Sequence, residues 1–134
     1  MSLRAAIHAQ ILADPALTAL IGTGEQCAHY AENGPENAPR AFILSYLITG
    51  GAESTHGADE DTLDSSIIQF NCYAPTLEDA AAIRTALRAA LLPGLQAEGQ
   101  RIVTTSPATR DSYEPELRKY RADLDLTFFH NPNV

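Results

Sequence analysis

A chain of 134 residues, 45% of them hydrophobic, is sized for one domain (1–134) with a buried core and is too apolar for disorder. Its formal net charge of −8 opposes tight nucleic-acid binding, which needs lysine and arginine to displace phosphate counterions. No apolar run approaches the ~20 residues of a membrane span, and the N-terminal MSLRAAIHAQIL is amphipathic without a signal-peptide core, so synthesis in a reducing cytoplasm is the expectation.

Leu3, Ile7 and Ile11 fall on one face, so residues 3–13 read as a short helix. Asp14-Pro15 restarts it as an N-cap followed by proline, and Leu17, Leu20 and Ile21 carry the apolar face to Gly22. Residues 22–40 are rich in glycine and proline and read as loop, with a brief strand at Gln26–Tyr30. Arg40–Thr49 is a strand whose Phe42, Leu44, Tyr46 and Ile48 share one apolar face. Its other face carries Ile43 and Leu47, so both sides need cover. Residues from about 50 to 63 read as a flexible acidic loop, too long for a tight turn.

Next comes the central unit, SSIIQFNCYAPTLEDAAAIRTALRAALL. Ser66, Ile68, Phe70 and Cys72 alternate with Ile67, Gln69, Asn71 and Tyr73, the period of a strand. Thr76 is placed to cap a helix whose stripe is Leu77, Ala80, Ile83, Leu87, Ala90 and Leu91, ended by Pro93-Gly94. Gln100–Thr105 reads as a strand broken by Pro107. Glu116–Phe129 reads as the last strand, with Tyr120, Ala122, Leu124, Leu126 and Phe128 inward and Lys119, Arg121, Asp123, Asp125 and Thr127 on a wet face. The sum is an α+β fold of two helices on a mainly antiparallel sheet of about four strands.

Reactive constellations are thin. His8, His29, His56 and His130 have no metal-ligand spacing and read as surface or packing residues. Cys27 and Cys72 form no zinc or redox motif and read as two buried thiols. Glu53, Asp59, Glu60, Asp61 and Asp64 cluster without a basic residue and could hold Ca²⁺ or Mg²⁺, but lack the glycine and terminal glutamate of a calcium-binding helix–loop–helix; a solvated acidic loop is the plainer reading. Five of the nine basic residues, Arg101, Arg110, Arg118, Lys119 and Arg121, lie in the last third. Such separation suits copies docking head to tail, or simply two solvated faces. No catalytic residue and no cofactor is expected.

Three segments together carry a resemblance: ADPALTALIG closing the first helical region, QFNCYAPTLEDAAAIRTALRAAL, and RDSYEPELRKYRADLDLTFF with its Arg-Asp-x-Tyr-x-Pro turn. In this order they resemble the tail completion proteins, the tail terminators or head–tail joining proteins of long-tailed phages, prophages and gene transfer agents. Gly22–Arg40 departs by being glycine-rich, and Arg40-Ala41-Phe42 stands where Pro-Tyr is common. The resemblance implies a non-enzymatic virion protein made in the bacterial cytoplasm. It would form a ring of six copies that caps the tail tube, ends its polymerisation and joins the tail to the head connector, with DNA passing through unbound. Glu53, Asp59, Glu60, Asp61 and Asp64 would then line the lumen or meet the tube, and Arg110, Arg118, Lys119 and Arg121 would meet a neighbouring subunit or ring. A head-completion stopper at the connector and a small divalent-cation-binding protein are the alternatives.

Overall fold

A computed structural model describes residues 3–22, 28–31, 40–49, 64–97 and 100–130. Helices α1 (Leu3–Ala13) and α2 (Pro15–Ile21) meet at Asp14, whose carboxylate accepts the Ala16 and Leu17 amides at 2.9 and 3.3 Å while Pro15 opens the second helix. Gly22, at φ 104°, ends α2 with its N–H on the Thr18 carbonyl. Strands β1 (His29–Ala31), β2 (Phe42–Thr49) and β3 (Asp64–Ala74) follow. After α3 (Leu77–Leu91) come β4 (Leu95–Ala97), β5 (Gln100–Glu114) and β6 (Lys119–His130).

The architecture is α+β with three helices and a mixed sheet. Five strands in the order β1-β2-β3-β6-β5 form the main sheet, and short β4 extends it by pairing with the first residues of β5. The third helix and the fifth strand of the main sheet correct the expectation of two helices on a mainly antiparallel sheet of about four strands, and the β1–β2 pair makes the sheet mixed. Three residues of β1 hold too little pattern to betray a parallel partner. The acidic loop falls outside the described residues.

Because β6 runs antiparallel to both β3 and β5, those two are parallel to each other. Parallel strands need a crossover, and α3 lies in it; β6 then inserts between them as a split β-α-β unit. Thr76 Oγ1 accepts the Asp79 amide at 3.1 Å, with Glu78 and Asp79 in the positive first turn. Gly94, at φ 109°, turns the chain out of the helix.

The three helices cover one sheet face. Ile43, Ile68, Phe70, Cys72, Ala122, Leu124, Leu126 and Phe128 meet Ile7, Ile11, Leu17, Ile83, Leu87 and Leu91 in one buried core. Ser66 to Cys72 and Ala122 to Phe128 thus alternate as their sequence demands. Leu77, expected on the buried stripe, is 39% exposed because it starts α3 beyond the sheet end. Cys72 is a buried free thiol whose ionisation burial pushes far up; Cys27 lies outside the described residues.

The C-terminal hairpin differs from its expected form. Pro107 does not end β5: a bulge between Thr105 and Ala108 accommodates it, and the strand continues to Glu114. Residues 115–118 are the turn, closed by the Arg118 amide on the Pro115 carbonyl at 3.2 Å, so β6 begins at Lys119 rather than Glu116. Asp123, expected on a wet face, lies on the helix-free face yet is only 1% exposed. Arg110 and Arg121 converge on it.

Candidate interaction surface

The hairpin end of the sheet carries the most distinctive surface among the described residues. Tyr113 and Tyr120 are cross-strand partners, their rings 4.9 Å apart in a T-shaped pair. They are 48% and 37% exposed, and Leu117 in the turn between them is 43% exposed. Tyr120, expected inward, is open because it sits beside the turn, at the end of the strand. It pairs across β3 with Ala74. Ala74 in turn lines a groove of about 450 Å³ formed with Leu20, Ile21, Arg40, Ala41, Pro75 and Ile83, with Asp79 at its rim. Leu20 in this groove is itself exposed. At the opposite end of the sheet, Leu47, Ile48 and Phe129 are also exposed, the first two where a bulge disrupts the β2–β3 register. Exposed apolar groups gathered at both ends are the mark of contact surfaces rather than of a catalytic cleft.

Charge is organised around Asp123. Arg121 Nε lies 3.0 Å from Asp123 Oδ1, and Arg110 Nη2 lies 3.5 Å from Oδ2. Burial raises the Asp123 carboxyl above its usual range; both guanidinium groups oppose this and neighbouring Asp125 adds to it. Arg121 also donates to Glu114 at 2.8 Å, and its interaction with the Tyr73 hydroxyl helps hold its own pKa up. Elsewhere Arg84 of α3 reaches across to Asp111 and to the Arg110 carbonyl on β5.

Among the basic residues singled out in the sequence, the structure therefore separates two roles. Arg121 and, in part, Arg110 are tied to carboxylates of their own chain. Lys119 donates to the carbonyl of Arg40, a residue that lines the groove, at 3.1 Å. Arg118 occupies the turn at φ 53°, exposed beside Leu117 and the tyrosine pair. Glu53, Asp59, Glu60 and Asp61 lie outside the described residues, and of Asp64 only the backbone position opening β3 is described. Among the described residues no group of acids, histidines and cysteines could hold a metal.

Two histidines far apart in sequence meet: His8 of α1 and His29 of β1 place their Nδ1 atoms 2.8 Å apart, and His29 Nε2 lies 3.0 Å from Ser45 Oγ. Sequence spacing could not show this pair, nor the groove, since both arise where segments distant in the chain pack together. The tyrosine pair had a readable signal: two aromatics flanking a proline-containing turn are natural cross-strand partners.

A search among curated proteins finds no match. Among solved structures, a chain of a virion described as a native gene transfer agent particle superposes with a TM-score of 0.71 at 19% identity, covering 97% of this chain and 95% of that one. A second solved chain gives a TM-score of 0.65 at 14% identity over 98% and 96% of the two chains. At these identities the likeness is one of fold. The family model for tail completion protein gp17 matches residues 5–131, nearly the full length of the chain. The chain belongs to the tail completion protein gp17 family.

Proposed function

We propose that this protein is a non-enzymatic structural component of a phage-like tail, forming a closed ring that caps the tail tube and joins it to the head connector. The observation that carries the reading is the pair of exposed apolar areas at opposite ends of one sheet: Tyr113, Leu117 and Tyr120 with the groove at one end, Leu47, Ile48 and Phe129 at the other. A closed ring is built from heterologous contacts, which require two different patches on each copy, and stacking between tube and connector needs distinct faces as well. Family membership supplies the setting, a tail being completed. In this account the single domain 1–134 is the repeating unit and six copies close the ring. Glu53, Asp59, Glu60, Asp61 and Asp64 face its lumen, where negative charge keeps passing DNA from adhering.

Arg118 bears on the same reading. A left-handed backbone conformation favours glycine and costs an ordinary residue about 1 kcal/mol or more. Arg118 adopts it in the exposed turn of the hairpin. Arg118→Gly, combined with Lys119→Ala, is expected to leave the melting temperature within a few degrees while reducing head–tail joining at least tenfold, read as infectious or transducing particles. Unchanged joining would remove this hairpin from the interface.

A further inference from the structure

We propose that His8, His29 and Ser45 form a one-proton clasp that fastens helix α1 to the sheet edge at neutral pH and opens in acid, when both imidazoles are charged. The geometry sets the proton count. With the two Nδ1 atoms 2.8 Å apart, one must carry hydrogen and the other a lone pair. If His29 Nδ1 donates, its Nε2 accepts from the Ser45 hydroxyl; if His8 Nδ1 donates, His29 Nε2 carries hydrogen and donates to Ser45 Oγ. The hydroxyl suits both arrangements.

A first added proton is also tolerated. The charged ring donates through its Nδ1–H to the lone pair on the other ring's Nδ1. A second proton places two N–H groups and two positive charges against each other, in rings whose centroids are 5.1 Å apart. His29 is 8% exposed and cannot turn to solvent while the fold is intact.

The groups around the pair reinforce this. Burial is the first cause holding the His29 pKa down, from 6.5 to about 4, and the nearby His8 charge is the second. From β2 the facing group is the Ser45 hydroxyl, which does not titrate in this range. On α1 the other ionisable residue is Arg4, one turn before His8, and its charge is constant. Since the unfolded chain binds His29's proton near 6.5 and the folded chain only near 4, the stability this group provides is complete above pH 6.5. It is lost as pH falls through that window, by up to about tenfold in the local equilibrium per pH unit.

The test follows imidazole nitrogen chemical shifts and α1 amide hydrogen exchange in the full chain from pH 8 to 4. The clasp predicts that α1 protection factors, taken against the intrinsic exchange rate at each pH, fall more than tenfold as His29 takes its proton. His29→Phe should make α1 protection independent of pH over that interval. The wild-type titration decides the matter even if that variant does not fold. His29 titrating near 6.5, or α1 protection indifferent to the second proton, would overturn the proposal.

Discussion

Phe70→Ala is expected to lower the unfolding free energy by about 3–5 kcal/mol, enough to reduce the melting temperature by roughly 10–20 °C for a chain this size. Phe70 sits at the centre of β3 with no exposed surface, between Ser45 of β2 and Leu124 of β6 in register. Its ring fills the layer where Ile83 and Leu87 of α3 join the core. Removing it deletes apolar contact and leaves a void that rigid strands on both sides cannot close. Phe129→Ala supplies the contrast. That ring is 37% exposed at the far end of β6, so its loss should cost under about 1 kcal/mol. Thermal and denaturant unfolding of the two variants distinguishes them, and equal losses would contradict the strand alternation described above.

Arg121→Ala is expected to cost about 2–3 kcal/mol through the carboxylate it abandons. The figure lies below that of a fully enclosed ion pair because the Arg121 side chain is 26% exposed and Arg110 still approaches Asp123. The pH dependence carries a clear sign. Burial already raises the Asp123 carboxyl above its unfolded value, so the folded state holds the proton more readily and this group's contribution falls as pH rises through its folded pKa. Without Arg121 that pKa rises further. The variant's deficit should therefore be largest at neutral pH and shrink on acidification. Asp123→Asn introduced into Arg121→Ala should recover part of the loss at neutral pH, measured as a double-mutant cycle. Additive losses would show that Arg121 acts through Glu114 or Tyr73 instead.

The parts of the fold legible in the sequence are those stabilised locally. Thr76 and the spacing of Ala80, Ile83, Leu87 and Leu91 define α3, and Asp14-Pro15 marks the joint between α1 and α2, because caps and helical periodicity act within a few residues. Ala122, Leu124, Leu126 and Phe128 define β6 for the same reason. What stayed hidden depends on partners distant in the chain. A brief strand near β1 is readable, but its parallel pairing with β2 is not, and Pro107 reads as a terminator unless the bulge against β6 is known. Alternation places Asp123 on the helix-free face, but does not show that it is buried with Arg110 and Arg121 converging on it. The candidate surface divides the same way. Its basic residues could be singled out, whereas the groove joining α2, Arg40-Ala41, the end of β3 and α3 exists only once the chain is folded.

Electron microscopy of phage-like particles made with and without this protein shows whether it closes a ring at the head–tail junction. The account predicts a ring of this chain between the tail tube and the head connector in complete particles. In its absence, filled heads should accumulate apart from tails, and the tails should lack a defined upper end. Particles that join heads to tails of normal length without the protein, or that carry it away from the head–tail junction, would contradict the account.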